Sequence, residues 1–488
     1  MPRMPTPPLI RWQELEFQVT EAGDLAQVSD LASGQVLLRG LRIDLPTPWT
    51  AAGVVLLSNE IEQNFTHPSG ATAVVRQVWE EAWTLRITLL NTSSEQAQVP
   101  APRLRFAASW PTRRWLAGGE ASISIDPGRA EQLLLTQLRG QARSGDGELL
   151  LAPDPLVLAA QTENAGPGQF QVSWRGAWLV NHAQIARVLP FWWPERVALA
   201  EGEEVVLSLP DAATTATDGV TIALEDEDTW LSGTPGRHAV HVHNRLGTTD
   251  LHLWWGRNLE AAQHREATRL LDVTDARTCE PWEAWIITRA AHLVGSYEAE
   301  EYLFTAVEER CARSGPVHPL DVMTVSSWLA EHPDEDDVWD GLTDLVTRMP
   351  TVPGSQLALV HARLLAMQLG RTSPGLRAQR SPVSEDLSRV EQAICRVEAS
   401  LLNPPDAPDE ECWRVAGLLG AGLPGETVGL VRLAQVHTVT ALYPEHWDFT
   451  ARWPVPLATA REAARQKIVA SVDLPDGCEA LGWVLAGL

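Results

Sequence analysis

The sequence predicts a multidomain β + α fold: a large antiparallel β-sandwich over residues 9–257, then an all-α domain of about eleven paired helices over 258–488. Three observations predict this order. Segments with alternating apolar and polar residues recur through the first half, separated by Gly, Pro, Asn or Asp. From about residue 258 the apolar period becomes 3.6 residues, which is typical of amphipathic helices. Breakers such as Gly315-Pro316 then separate one helical segment from the next.

The predicted strands of the first region are short and numerous. Clear alternation occurs in segments 71–80, 83–91, 203–210 and 219–225. We expect about 16 to 20 strands and no convincing helix, which exceeds the content of one immunoglobulin-type domain. One large two-sheet sandwich or two smaller ones would hold this number of strands.

The predicted helices are connected by short segments, which favours antiparallel pairs in an α/α barrel or an open solenoid. The long stretch from Arg371 to Asp386 contains two Ser-Pro pairs and is predicted to be a flexible loop. The helices are predicted at 258–272, 280–295, 298–313, 320–331, 335–348, 355–369, 384–402, 409–419, 425–442, 457–471 and 475–487.

A sandwich that precedes paired helices resembles the layout of several inverting glycosidases and disaccharide phosphorylases, in which the helices form an α/α barrel. The resemblance is to layout only. No stretch of this chain matches their catalytic motifs, so the resemblance implies no catalytic residue.

Charge excludes several classes of partner. The chain has 63 acidic and 38 basic residues and a formal net charge of -25, which disfavours nucleic acid and anionic membrane surfaces. No apolar run is long enough for a transmembrane helix, so membrane insertion is not expected. The first residues lack the apolar core of a secretion signal, and the five cysteines form no CxxC pair. We therefore expect a cytoplasmic location.

Lysine is almost absent, since 37 of the 38 basic residues are Arg and the one lysine is Lys467. Lys467 follows Gln466, so a phosphate-binding Gly-Lys-Ser/Thr loop is excluded. Lys467 is also the one residue that could form a Schiff base, and its helical context instead predicts a polar surface position. The GxGxxG match at 420–425 follows a predicted helix and not a strand, which excludes dinucleotide binding. No cofactor is predicted.

A candidate zinc site lies near the end of the β region, in segment 237–255. A two-residue turn at Leu246-Gly247 would place His241 opposite His252 and His243 opposite Asp250. Three imidazoles and a carboxylate on one face of a hairpin are suitable ligands for Zn²⁺. The alternative is that the Val and Leu face of the hairpin packs in the core and that the His and Asp face is exposed to solvent.

The candidate acid and base are Glu445 and Asp448, between two predicted helices. Paired carboxylates are the groups that glycoside hydrolysis requires. Nearby aromatic side chains could pack against a sugar ring as ligand-binding residues, namely Tyr443, Trp447 and Trp453. The alternative is an ordinary interhelix loop.

Two other acidic groups are predicted to be helix starts. Glu280 and Glu283 flank Pro281, a residue favoured in a first helical turn. The run 334–337 contains D-x-D-D, a short pattern similar to the acid motif of class II terpene cyclases, but it directly follows His332-Pro333. Carboxylates at that position cap free N–H groups.

Two functions follow from these observations. The absence of strong catalytic motifs favours a non-catalytic interaction or scaffold protein, which would bind a protein partner through a concave helical domain. The alternative is a carbohydrate-active protein, glycoside hydrolase-like or phosphorylase-like, that binds an oligosaccharide in an acidic, Trp-lined groove between the domains. The chain contains 21 Trp, which either serve such a groove or replace other aromatic residues in the core.

Overall fold

The computed structural model describes residues 8–487 except 130, 141, 145–148, 163–165, 180–183, 186–188, 210–212, 227, 245–246, 372–382, 384–385, 421–424, 451 and 454. Most of the loop predicted at 371–386 and the middle of the GxGxxG match therefore lie outside the described residues. The predicted order of strands and then helices is confirmed, since the last strand ends at Gly256 and the first helix begins at Leu259.

The β region contains 24 strands within the described residues, more than the predicted 16 to 20, because several have only two to four residues and show no alternation in the sequence. Their bounds are β1 Leu9–Trp12, β2 Leu15–Val19, β3 Leu25–Asp30, β4 Val36–Asp44, β5 Thr50–Leu56, β6 Glu60–Thr66, β7 Ala71–Trp79, β8 Trp83–Asn91, β9 Ala97–Val99, β10 Arg103–Ala108, β11 Arg113–Ala117, β12 Glu120–Ile125, β13 Gln132–Arg139, β14 Arg143–Ser144, β15 Leu149–Leu150, β16 Leu156–Leu158, β17 Gly168–Leu179, β18 Ala198–Ala200, β19 Glu204–Ser208, β20 Ala213–Ala216, β21 Val220–Glu225, β22 Asp228–Gly233, β23 Gly236–Asn244 and β24 Gly247–Gly256.

The helical region contains eleven helices within the described residues, as predicted. Their bounds are α1 Leu259–Val273, α2 Pro281–Ala290, α3 Ser296–Ala312, α4 Pro319–Glu331, α5 Asp336–Arg348, α6 Ser355–Gln368, α7 Arg389–Leu401, α8 Glu410–Gly417, α9 Leu430–Ala441, α10 Leu457–Ala470 and α11 Gly477–Ala486. None of these described helices is long and apolar enough to cross a membrane.

By packing, the chain divides into two compact units. The first comprises residues 1–191, 211–213 and 241–251, and the second comprises 192–210, 214–240 and 252–488. The strands β18, β19, β21 and β22 thus belong to the same compact unit as the helices.

The first unit contains two antiparallel sheets that share one core. One has the order β1-β2-β3-β4-β10-β15-β14, and the other contains the run β11-β12-β13-β17-β8-β7-β6-β5. Buried side chains of both sheets, such as Phe17 of β2 and Trp83 of β8, belong to one hydrophobic cluster. Trp79 and Trp83 stack with their ring centroids 6.1 Å apart. This packing follows from the alternation of the strands, which directs every second side chain inward.

Tryptophan fills the cores of this protein. Seventeen of the 21 tryptophans are buried, and the other four are half-buried. This finding favours the interpretation that Trp replaces other aromatic residues in the interior.

In the second unit, six helices contact one another in a closed ring, in the order α2-α4-α6-α7-α9-α11 and back to α2. The remaining helices contact members of this ring: α1 contacts α2, α3 and α5 contact α4, α8 contacts α7, and α10 contacts α9 and α11. Strand β18 pairs in parallel with the end of β24 and contacts α10. The ring helices α2, α4, α9 and α11 are largely buried, as their near-continuous apolar sequences require.

The acidic groups predicted as helix starts lie at helix starts. Glu280 is the N-cap of α2, directly before Pro281. Its backbone N–H donates to the Glu283 carboxylate at 2.8 Å. Asp336 and Asp337 occupy the first turn of α5, where the helix dipole favours negative charge. These carboxylates therefore have a structural explanation.

Candidate functional site

The aromatic residues predicted to bind a sugar form a filled core. Tyr443, Trp447 and Trp453 are buried, with at most 7% of each side chain exposed. They surround Phe449, whose ring centroid lies 5.7 Å from that of Tyr443 and 5.2 Å from that of Trp453. Trp413 completes the cluster at 4.5 Å from Phe449. A sugar ring has no access to these faces, so the predicted ligand-binding role gains no support from the structure.

The two carboxylates predicted as acid and base are exposed on the same loop. Asp448 accepts hydrogen bonds from the backbone N–H of Thr450 at 2.8 Å and from its hydroxyl at 2.6 Å. These two bonds lower the pKa of Asp448, which keeps the carboxylate ionised. Asp448 thus stabilises a turn, and Glu445 projects from the surface beside it.

Replacing Tyr443 with phenylalanine tests this structural role. The Tyr443 hydroxyl donates to the Cys412 carbonyl at 3.1 Å, and its loss should lower the free energy of unfolding by about 1 kcal/mol. Urea unfolding measures the change, with Tyr297→Phe as control because Tyr297 is 76% exposed. A Tyr443→Phe variant with unchanged stability but at least tenfold weaker oligosaccharide binding would restore the predicted ligand-binding role.

The hairpin histidines do not pair as predicted. His241 Nδ1 lies 2.8 Å from an Asp250 oxygen, and His243 Nδ1 lies 3.0 Å from the Thr248 hydroxyl. Each partner is two residues earlier than expected, because Gly247 belongs to β24 and not to the turn. His252 packs beside Trp254 at 6.2 Å between ring centroids. Within the described part of the chain, no three His, Cys, Asp or Glu side chains form a group suited to a metal ion. The geometry therefore supports a His241–Asp250 pair and not a four-ligand zinc site.

A cavity of about 270 Å³ in the second unit gathers polar and aromatic side chains of a kind suited to a ligand. It lies where α2 and α4 end and α3 begins. Its chemically useful lining consists of His292, Glu300, Thr324, Trp328 and Glu331, with Leu303 and Val307 as apolar wall. His292 and the two glutamates are exposed, so a ligand can reach them from solvent.

Trp328 is held in place on three sides. Its ring stacks on His332 with the centroids 3.9 Å apart, and Phe304 packs against it at 6.1 Å. Its indole N–H donates to Glu335 at 2.9 Å. His332 in turn lies 3.6 Å from Glu300, measured from Nε2 to the carboxylate oxygen. The indole therefore forms a rigid wall beside two carboxylates.

Thr324 contributes a buried hydroxyl without a partner. Only 1% of this residue is exposed, and its Oγ1 makes no hydrogen bond to the described residues. A threonine in a helix usually donates to a carbonyl of the preceding turn. An unsatisfied buried hydroxyl costs about 1–3 kcal/mol, so a hydroxyl that lines a cavity is a natural contact for a polar ligand.

This arrangement combines a largely covered apolar wall at Trp328 with exposed carboxylates that accept hydrogen bonds. Sequence reasoning missed it because its residues come from three helices and belong to no motif. The one local signal was the charged segment after Trp328, where Glu331 and His332 precede the acidic helix start.

Comparison with known proteins gives a likeness of fold. No family model and no curated protein matches the chain. The fold is similar to that of a solved polysaccharide lyase, with a TM-score of 0.57, 9% sequence identity, and coverage of 96% of this chain and 93% of that one. A TPR-domain protein from Parabacteroides distasonis has a TM-score of 0.23 and 8% identity over 91% of this chain and 87% of its own, which is too low to carry an argument.

Proposed function

We propose that this chain is a carbohydrate-active protein that binds a glycan in the cavity between α2, α3 and α4. The observation that carries the proposal is the convergence of the Trp328 ring, the carboxylates of Glu300 and Glu331 and the unpartnered Thr324 hydroxyl on one cavity. Trp328 is 7% exposed and stacked on His332, so it contributes an apolar wall to the cavity and not a free stacking face. The carboxylates accept hydrogen bonds from sugar hydroxyls.

The size and charge of the cavity define the ligand further. A volume of about 270 Å³ is at the lower end of ligand cavities, so it holds one or two sugar rings. The two glutamates repel an anionic sugar at this position. We therefore propose a neutral glycan unit.

The fold supports a carbohydrate role without assigning a reaction. The solved polysaccharide lyase acts on carbohydrate by its name, and its fold covers nearly the whole chain. We further propose that the two sheets of the first unit form the expected sandwich, and that the ring of six helices is the inner layer of an α/α barrel. Fold alone does not transfer an activity, so the cavity must be tested directly.

Replacing Thr324 with valine is the sharpest test of the cavity. Valine has the same shape without the hydroxyl, and no hydrogen bond within the described protein is lost. We expect unchanged or slightly higher stability, and an affinity about tenfold lower for the neutral tetrasaccharide that binds best, which corresponds to about 1.4 kcal/mol. Calorimetric titration with cellotetraose, xylotetraose and mannotetraose provides the measurement.

Ser326→Ala is the matched control, because Ser326 lies two residues away on α4, is buried, and also has a hydroxyl without a partner among the described residues. It does not line the cavity. Equal affinities of the two variants would contradict the proposed site, as would the absence of binding by all three tetrasaccharides to the unaltered protein.

Catalysis is tested by a separate variant. Two carboxylates on one cavity are the groups that glycoside hydrolysis uses. The variant Glu331→Gln is incubated with a tetrasaccharide that the protein binds. If this variant still binds the tetrasaccharide but no longer forms cleavage products, Glu331 takes part in the reaction. Glu445→Gln serves as its control, since Glu445 lies on the separate exposed loop predicted from the sequence.

A protein-interaction role of the helical region remains the second candidate. The observation that favours it is an exposed aromatic surface on α3, where Tyr297 is 76% and Phe304 is 44% exposed. Exposed aromatic residues are enriched at protein interfaces. Loss of a co-purifying protein in Tyr297→Ser, with glycan affinity unchanged, would support this candidate.

A further inference from the structure

The one lysine of the chain lies in a second cavity, of about 230 Å³, within the second unit. The sequence predicts Lys467 on the polar face of a helix, and Lys467 does lie on α10. Its Nζ, however, is 4.6 Å from the centroid of the Trp254 ring, which is itself 95% buried. A cation at this distance from an indole face is stabilised by the ring quadrupole.

Charged groups of both signs line the same cavity. The Arg237 guanidinium lies 5.8 Å from the Trp254 ring and donates to Glu426 at 3.1 Å. The Asp476 carboxylate lines the cavity from the start of α11. The remaining lining is largely aliphatic, formed by leucines and a valine.

The choice of lysine at this position indicates what the cavity binds. Every other basic residue of the chain is Arg, a planar group suited to bidentate pairing. An ammonium is a compact point charge, which can form an ion pair with a single carboxylate oxygen in a small cavity. Glu426 and Asp476 accept hydrogen bonds from hydroxyl groups.

We propose that this cavity binds a sugar acid: a small, hydroxylated molecule with one carboxylate, whose charge is met by Lys467 and Arg237. The hydroxyl groups of the ligand donate to Glu426 and Asp476. This site differs from the glycan cavity in its positive charges, and the proposal does not rest on the proposed function.

Selective labelling of the single lysine tests the site in the full chain. We acetylate the protein and follow the modification of the Lys467 peptide by mass spectrometry, with D-glucuronate, D-glucose or acetate present at equal concentration. We expect D-glucuronate to slow acetylation of Lys467 at least fivefold, and glucose or acetate to slow it less than twofold. Equal rates with and without glucuronate overturn the proposal, as does equal protection by glucose, since the carboxylate would then be unrecognised.

Variants test whether D-glucuronate binding depends on the positive charge of Lys467 itself or only on the total positive charge of helix α10. Lys467→Gln should weaken D-glucuronate binding at least tenfold by calorimetry, while Lys467→Arg keeps part of the affinity. Arg465→Gln is the matched control, because it removes a positive charge from the same helix in a surface ion pair with Glu462. Equal losses in the Lys467→Gln and Arg465→Gln variants overturn the proposal. Thr324→Val should leave glucuronate binding unchanged, so failure of this site and failure of the glycan cavity are distinguishable.

Discussion

Replacing Arg310 with methionine is expected to lower the free energy of unfolding of the helical unit by about 3–5 kcal/mol. Only 2% of the Arg310 side chain is exposed, and its Nε donates to Asp321 at 2.6 Å. The same guanidinium donates to the carbonyls of Ala306, Cys279 and Glu280 at 3.1–3.2 Å. Arg310 thus connects α3 with the start of α2 and with α4. Methionine fills a similar volume but leaves the buried Asp321 carboxylate without its counterion.

Urea unfolding followed by circular dichroism at 222 nm measures this loss. Arg348→Met is the control, because Arg348 pairs with Asp344 in a partly exposed i,i+4 ion pair that contributes about 0.5 kcal/mol. Adding Asp321→Leu to Arg310→Met should recover part of the stability, since it removes the uncompensated charge. A loss below 1 kcal/mol in Arg310→Met would show that the buried pair is not essential to the packing of these helices.

Replacing Glu398 with glutamine is expected to stabilise the protein progressively as the pH rises from about 4.5 to 8. Glu398 lies on α7, is 96% buried, and accepts the Gly354 N–H at 2.6 Å, which caps the start of α6. Burial raises the pKa of this carboxyl to about 8. A raised pKa means that the folded state binds the proton more tightly than the unfolded state. The contribution of Glu398 to the free energy of unfolding is therefore complete below about pH 4.5 and decreases as the pH rises to 8.

The expected change is about 1.4 kcal/mol for each pH unit, or on the order of 4 kcal/mol over the whole interval. Glutamine keeps an oxygen that accepts the Gly354 N–H but cannot ionise. Burial lowers the pKa of His318 to about 4 and that of His437 to about 3, so these groups reduce stability as the pH falls below 6.5. Comparing wild type with Glu398→Gln at each pH cancels the histidine contributions.

Thermal and urea unfolding at half-unit steps from pH 4.5 to 8 measure the difference. Glu398→Ala serves as the second variant, because it also cannot ionise but removes the acceptor for the Gly354 N–H, so it should be less stable than Glu398→Gln by a constant amount at every pH. A constant difference between Glu398→Gln and wild type across this range would show that Glu398 does not hold a proton in the folded protein.

The secondary structure was predictable because its signals are local. Pro281 at the start of α2 and the acidic run before α5 mark helix starts in any context, and the observed starts lie within a few residues of the predicted ones. The strands were undercounted because a two-residue strand such as β15 is defined only by its pairing with β10 and β14. Alternation cannot reveal a strand that short.

The candidate sites were less predictable because side-chain direction depends on tertiary packing. An aromatic residue beside charged residues, such as Trp447 beside Asp448, has the same sequence pattern whether the ring faces solvent or core. The hairpin register depended on whether Gly247 joins the strand or the turn. The cavity near Trp328 joins residues of three helices, and Lys467 meets Trp254 across more than 200 positions of sequence. No local pattern encodes such contacts.

Closure of the helical ring has a consequence for how this unit forms. Helix α11 begins at Gly477 and packs against α2, which begins at Pro281, so the last contact of the ring joins segments separated by almost the whole helical region. Contacts of such sequence separation form slowly, because a long loop must first close. During biosynthesis the apolar face of α2, with Trp285 and Ile286, emerges long before its partner and needs protection from aggregation in the meantime.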